Sequence, residues 1–291
     1  MSTQTEPIQP TGVGDDLMVV ARIPFRTRAR IWVLTRFIPP IFMFIFAIGL
    51  LELISVTEVL PAIVTPSPLT VLETMGRQAT TSFLWENMWV TLQEGLLGFL
   101  IGSAIGISLG VGVGVSTFIA RAVYPFVVLI QSMPRVALAP VFVALLGFGQ
   151  SAKVLTAVAI CFFPPLINTI VGLRNFDSDA LLLMRSLRAS RWQVFRKLLL
   201  PGALPMIFGG LKTAMTFAIL GAIVGELTAA TEGIGSLIDI AAFQLRMDAV
   251  YGYILWMSIV SLGIFGFMDW VDKRVVFWRD DARKTRLTDQ E

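Results

Sequence analysis

Charged groups are scarce in the apolar stretches of this 291-residue chain, so the few found there are where its chemistry would have to happen. With no histidine and a single cysteine, Cys161, the chain holds no His/Cys metal set, no Ser-His-Asp triad and no disulfide framework. What remains is electrostatic. Arg135, in the run Gln131-Ser132-Met133-Pro134-Arg135, lies midway along an apolar region. An arginine there costs about 2.5–3.5 kcal/mol on insertion scales unless it faces a polar cavity or a partner. Pro134 and Pro140 deprive the carbonyls of Ile130 and Val136 of their helical donors, and broken helices are tolerated where they line a cavity. Gln131, Ser132, Met133 and Arg135 are therefore expected to line a solute path or its gate. The alternative is that Arg135 reaches an interface or pairs with Glu226 or Glu94. Glu226, ahead of Gly233-Ile234-Gly235, is expected at the outer end of a span, at an outer gate, against an external protein, or as a solvated helix-end carboxylate. Lys212 is expected to reach the headgroups.

The elements that must position these residues are membrane spans. Hydrophobic residues make up 55% of the chain, only 15% are charged, and mean hydropathy is +0.77; soluble domains hold about 45–50% apolar residues. Apolar runs fit to cross a bilayer fall at about 37–54, 88–114, 122–148, 154–173, 204–227 and 249–268. The third is interrupted by 131–135 and by Pro140. In the second, Gly98, Gly102, Gly106, Gly110 and Gly114 recur every four residues. That spacing makes a small-residue face for close helix contact, expected within the chain rather than between copies. On this scheme eighteen of the twenty-three Lys and Arg residues lie inside, while Arg77, Lys153 and Arg246 lie outside. Both termini and the 174–203 loop are thus expected in the cytoplasm. Because the basic residues flank spans, the pI near 9.3 points to no nucleic-acid partner. The first thirty residues carry Asp15 and Asp16 and no apolar core, unlike a secretory signal. The expected organisation is a disordered cytoplasmic tail at 1–30, a first span at 31–57 and an interfacial or extracytoplasmic segment at 58–87 with a short helix at 69–77. A core at 88–270 and a cytoplasmic tail at 271–291 follow.

The loop within that core reads DSDALLLMRSLRASRWQVFRKLLLPGALP over 177–205, and five of the chain's Lys and Arg residues crowd into it. It predicts two short helices. Asp177 or Ser178 caps the first; Ser190 with Gln193 three residues on forms a capping box for the second, which is expected to stop before Pro201. Trp192, Phe195 and Leu199 fall on one stripe. A helix that transmits force seats an apolar knob in a partner's cleft, held by surrounding charges. Leu187, Trp192 and Phe195 are the candidate knobs, and Arg188 and Arg191 the candidate charges. The bland alternative is a loop that only satisfies the charge rule and packs onto the membrane.

The end of this loop resembles the cytoplasmic loop of permease subunits from binding-protein-dependent ABC importers. That loop reads E-A-A-x-x-x-G, nine further residues, then I-x-L-P. Leu198 takes the Ile position and Leu200-Pro201 the L-P, whereas the Gly position falls on Arg188 and the E-A-A on Leu182-Leu183-Met184. With a glycine absent at the elbow, Arg188 is expected to take ordinary backbone angles and to shift the turn toward Ala189-Ser190. Gln131–Gly149, Ser67-Pro68, and Gly225-Glu226 with Gly233-Ile234-Gly235 are similar to the nitrate, sulfonate, taurine and pyrimidine-precursor branch. The likeness covers about 61–273.

The resemblance implies an all-α integral membrane fold of about six transmembrane helices, the type I ABC importer permease (MetI-like) fold, in a bacterial cytoplasmic (inner) membrane. It implies a homodimer, two copies of a cytoplasmic ATPase and an extracytoplasmic solute-binding protein. ATPase coupling then falls to Leu187, Arg188, Ala189, Ser190, Arg191, Trp192 and Phe195. ATP and Mg belong to the ATPase, and no cofactor is expected in this chain, which lacks a G-x-x-x-x-G-K-[ST] loop. The solute is expected to be small, anionic or aromatic and organic. The rival is a stand-alone secondary carrier or channel, which needs carboxylates at mid-membrane for a coupling ion; Glu94 is the only one well inside a span.

Overall fold

The computed structural model describes residues 65–229 and 231–278, with scattered helical residues between 39 and 57. The tail expected at 1–30 lies outside the described residues, and the span expected at 37–54 is only partly within them. Among the described residues the regular structure is all helical, joined by short turns and extended linkers. The elements are α1 (Pro68–Ala79), α2 (Ser82–Val115), α3 (Thr117–Ser132), a 3-10 turn (Arg135–Leu138), α4 (Ala139–Leu146), α5 (Gln150–Cys161) and α6 (Phe163–Arg174). Then come α7 (Ser178–Ser186), α8 (Arg191–Val194), a π turn (Phe195–Leu199), α9 (Leu200–Ala229), α10 (Ile234–Phe243) and α11 (Met247–Val275). Among the described residues four helical stretches are long and apolar enough to cross a membrane: Ser82–Val115, Gln150–Arg174, Arg191–Thr228 and Met247–Val275. The interrupted third run is a pair of helices bent by 89°, a broken span or a re-entrant loop.

The α5–α6 span is the centre of the bundle, held between two faces of small residues. On one side the glycine stripe of α2 meets it in a single register. Gly98 lies against Ala157, Gly102 against Cys161, Gly106 against Phe162 and Pro165, Gly110 against Thr169, and Gly114 against Leu173. A Cβ at Gly102 would sit 2.5 Å from Cys161 Sγ, and one at Gly106 would collide with the Phe162 carbonyl. The helices can therefore touch backbone to backbone, which is how dispersion holds spans together where lipid removes the hydrophobic drive. On the other side Gly221 of α9 lies against Ala157, and Gly210 against Asn168 and Pro164.

Local signals fix the ends. Ser67 caps α1 by accepting from the Thr70 N–H at 3.3 Å, with Pro68 at the first helical position, where its missing donor costs nothing. Arg174 at the end of α6 donates to the Val113 carbonyl at 3.1 Å, occupying an acceptor in the last turn of α2. Pro201 does not end the loop's second helix. Lacking an N–H, it leaves the Lys197 carbonyl without its usual donor. The chain widens into the π turn, where the Leu200 N–H reaches back to Phe195, and then runs on through α9. Loop and span are one rod, Arg191–Thr228.

The last span is peripheral. Only 11% of its apolar window is buried, against 39–56% for the other three. Polar ties hold its outer end to α1: Thr74 Oγ1 donates to Asp248 at 2.8 Å, and Trp256 Nε1 to the Met75 carbonyl at 3.4 Å. The cytoplasmic tail expected from 271 is still helix as far as Val275.

Candidate functional site

The broken segment places Gln131, Ser132 and Met133 on an exposed surface. The carbonyls that Pro134 and Pro140 were expected to free are taken: Ile130 accepts from the Met133 N–H at 3.3 Å, and Val136 from the Ala139 N–H. Tighter three-residue bonds replace the four-residue ones. Arg135 is half-buried and bonds neither Glu226 nor Glu94. Its Nη1 donates to the Ile160 carbonyl at 3.2 Å, and its guanidinium lies 5.1 Å from the centre of the Phe163 ring. Pro164, four residues after Ile160, cannot supply the helical N–H to that carbonyl. The guanidinium supplies it instead and is offset by the ring's quadrupole. Arg135 thus ties one broken helix to the break between α5 and α6.

The second cluster is buried at the outer ends of three spans. Lys153 Nζ lies 2.5 Å from Glu94 Oε1, with side-chain exposures of 9% and 1%. Lys153, expected outside in solvent, is inside the bundle. An ammonium in a protein interior needs a carboxylate, and α2 provides one at the right height. The pair continues the register of the glycine stripe: Glu94 to Lys153, Gly98 to Ala157 and Gly102 to Cys161 all share an offset of 59 residues. Gly225 lets α9 approach from the other side, since a Cβ there would come within 2.9 Å of Lys153 Cα.

Glu226 stands at the outer end of its span, as expected, but it is buried, 1% exposed, and is not a solvated helix-end carboxylate. Its Oε2 accepts from the Gly235 N–H at 2.6 Å and its Oε1 from the Thr91 hydroxyl at 2.7 Å. Thr91 Oγ1 accepts in turn from the Ile234 N–H at 2.8 Å, and Asn87 Oδ1 from the Gly233 N–H at 2.7 Å. Three N–H groups at the start of α10, which no helical carbonyl can reach, are so satisfied by α2 and α9, with a carboxylate at the helix's positive end. Gly233 has φ +106, and a Cβ there would strike the Glu226 carboxylate. The Gly225-Glu226 and Gly-Ile-Gly signature is accounted for by this capped turn.

The cytoplasmic loop forms the third place. Asp177 caps α7, accepting from the Asp179 N–H at 2.9 Å. The capping box at α8 is present in both directions: Ser190 N–H to Gln193 Oε1 at 2.7 Å, and Gln193 N–H to Ser190 Oγ at 3.3 Å. Arg188 does not take ordinary angles. It has φ +53 and is itself the elbow. The Ala189 N–H bonds Met184 O and the Arg188 N–H bonds Arg185 O, the paired bonds of a helix stop with a left-handed residue. Those two bonds and the following capping box hold an arginine where glycine is cheaper by about 1–2 kcal/mol. Leu187 and Trp192 are 70% and 65% exposed. Arg188 and Arg191 are exposed beside them, while Ala189 is half-buried. Phe195 is half-buried too. It stacks on Trp192 at 5.6 Å and packs toward Leu173, Ala203 and Ile207, so it anchors the exposed tryptophan to the rod.

Lys212 was expected at the headgroups and is instead held within the protein. Its Nζ lies 2.6 Å from Asp269 Oδ1 and 2.7 Å from Asp272 Oδ2 on α11, and Asp269 Oδ2 lies 2.7 Å from Lys273 Nζ. Sequence reading missed this set, although two acids three residues apart on a span end invite a cation between them.

Comparison with known proteins places the class. Residues 98–277 match the family described as binding-protein-dependent transport system inner membrane component, and the chain belongs to that family. It is a multi-pass inner-membrane subunit of an ABC importer. Among its relatives is the riboflavin transport system permease protein RibX of Chloroflexus aurantiacus, 36% identical over 75% of this chain and 81% of the relative. Another is the formylaminopyrimidine transport permease protein ThiX of Halalkalibacterium halodurans, 37% identical over 51% of this chain and 59% of the relative. These relatives are transport permeases, not enzymes. The fold is similar to a chain of the inward-facing MetNI methionine ABC transporter, with TM-score 0.58, 18% identity, and 68% of this chain and 96% of that chain covered.

Proposed function

We propose that two copies of this chain form the translocation path of an ATP-driven importer, each docking one cytoplasmic ATPase through the 177–199 loop. ATP and Mg stay on the ATPase, and an extracytoplasmic solute-binding protein delivers the solute. The observation that carries this reading is the exposed pair Leu187 and Trp192, braced by Phe195 and flanked by Arg188 and Arg191, on a helix continuous with a span. An exposed tryptophan rimmed by arginines is the composition of a binding hot spot. Gln131, Ser132 and Met133 remain the residues assigned to the path, with Arg135 setting the bend that presents them.

The solute we assign is a small organic molecule, with a heteroaromatic ring ahead of an inorganic anion. The relatives named for riboflavin and formylaminopyrimidine support the ring. Arg135 spends its charge on the Ile160 carbonyl and the Phe163 ring, which removes the argument for an anion. The stand-alone carrier has less support, because Glu94 is neutralised by Lys153 and not open to a coupling ion.

The test is co-purification from native membranes. Trp192→Ala with Arg191→Glu is expected to lose the ATPase while the permease stays in the membrane at normal level. An ATPase retained at the wild-type ratio would remove the docking assignment. Mass analysis of the ligand carried by the co-purified binding protein then names the solute.

A further inference from the structure

We infer that Lys212, Asp269 and Asp272 are positioning residues that lock the last span to the rod driven by the cytoplasmic loop, so that α11 moves with it. This rests on the docking reading above, since it concerns where the loop's displacement goes. Arg191–Thr228 is one helical stretch, so Lys212 rides on the same body as Trp192. Its ammonium is clamped between two carboxylates of α11 at 2.6 and 2.7 Å. Asp272 is fully buried, 0% exposed, and Lys212 is largely so. A buried, charge-assisted contact of this kind is directional and holds one geometry.

The rest of the α9–α11 contact is not of this kind. It is apolar: Met268 and Ile264 cluster with Leu211, Ala214, Met215 and Ala218, and Met257 and Val260 with Ile219 and Ile223. Apolar contact of small and flexible side chains is non-directional, and helices packed that way slide by about 1–2 Å at little cost. Only 11% of the apolar window of α11 is buried. At the outer end its polar partners lie on α1, not on the rod. The Lys212 clamp is therefore the directional part of the contact that holds the register of α11 against the rod. A slip of one helical turn, about 5.4 Å, would break both ion pairs at once.

The experiment uses the complete complex with its ATPase in lipid nanodiscs. Nitroxide labels are placed on Met206→Cys, on the rod outside the docking loop, and Val275→Cys, on α11; Cys161 is fully buried and stays unlabelled. Pulsed electron resonance reads the distance between them without nucleotide and after trapping with MgATP and vanadate. In the otherwise unchanged complex the distance is expected to stay constant between the two states. With Lys212→Met it is expected to shift by more than about 2 Å on trapping, while the ATPase still co-purifies. Lys212→Arg is expected to restore the fixed distance, which a merely stabilising role would not require. If Lys212→Met does not fold, Lys212→Met with Asp272→Leu removes both buried charges and is expected to show the same shift. A distance that stays fixed in the folded charge-free variants overturns the inference. Failure of the starting complex to hold any ATPase overturns the docking reading and this inference with it.

Discussion

The bundle is held by charge at both ends, and the two ends are built differently. At the outer end Glu94, Lys153 and Glu226 are nearly sealed from solvent; Glu94 and Lys153 pair with each other, and Glu226 is hydrogen-bonded to a turn that itself needs capping. At the inner end Lys212 bridges two acids of the last span, one of them, Asp269, with 32% of its side chain exposed and shared with Lys273. The inner cluster is partly open to solvent at Asp269, while Asp272 beside it is buried; all three outer groups are buried. Charges sealed in the interior must stay paired, since the cost of an orphan is several kcal/mol. The outer ends of α2, α5 and α9 are thus fastened as one block, while at the inner end the same kind of pairing, Lys212 with Asp269 and Asp272, joins only α9 and α11.

The largest effect that could break the comparison is at the outer pair. Glu94→Leu leaves Lys153 buried without its carboxylate and should cost about 3–5 kcal/mol, read as a fall in the detergent melting temperature. Glu94→Leu with Lys153→Met should recover most of the loss; a single variant as stable as the parent would mean the outer block is not locked. Next, Gly106→Val puts a branched side chain against the Phe162 carbonyl and should cost about 1–3 kcal/mol by overpacking. Gly209→Ala, where a Cβ meets nothing within 4 Å, should leave the melting curve in place. Equal losses for the two would show that the stripe is not the contact. Arg188→Gly should stabilise the loop by about 1 kcal/mol by relieving a left-handed residue, seen as slower amide exchange at Leu187 to Ser190. Faster exchange there would mean that the arginine side chain holds the elbow. The smallest change is expected for Asp269→Asn, whose exposed carboxylate is screened by salt. Its melting temperature should match the parent's at 0.5 M salt, and a persistent deficit would make the inner cluster as sealed as the outer one.

What the sequence made legible was whatever depends on near neighbours. The capping box at Ser190, the interrupted third run and the glycine stripe all follow from spacing within one or two turns. What it hid depends on partners far along the chain. Lys153 lies three residues into its helix and reads as an interfacial charge; only the offset shared by Glu94 and the glycines brings it inside. Arg135 was expected on the solute path, with an acid partner as the alternative, yet it bonds a carbonyl freed by a proline in the next span. Pro201 looked like a stop, because a sequence does not show that one extra residue in a π turn lets the helix pass. Arg188 was given ordinary angles because the left-handed region disfavours its Cβ, but the helix-stop bonds on its own backbone outweigh that penalty.

The central claim is that this chain imports a solute only together with a separate ATPase docked on the 177–199 loop. The most direct test reconstitutes it in proteoliposomes with and without the co-purified ATPase, the binding protein loaded with its native ligand outside and MgATP inside. The account predicts ligand accumulation only with the ATPase and ATP present, and none when the chain carries Trp192→Ala with Arg191→Glu. Accumulation by the chain alone, driven by an ion gradient and indifferent to ATP, would contradict it.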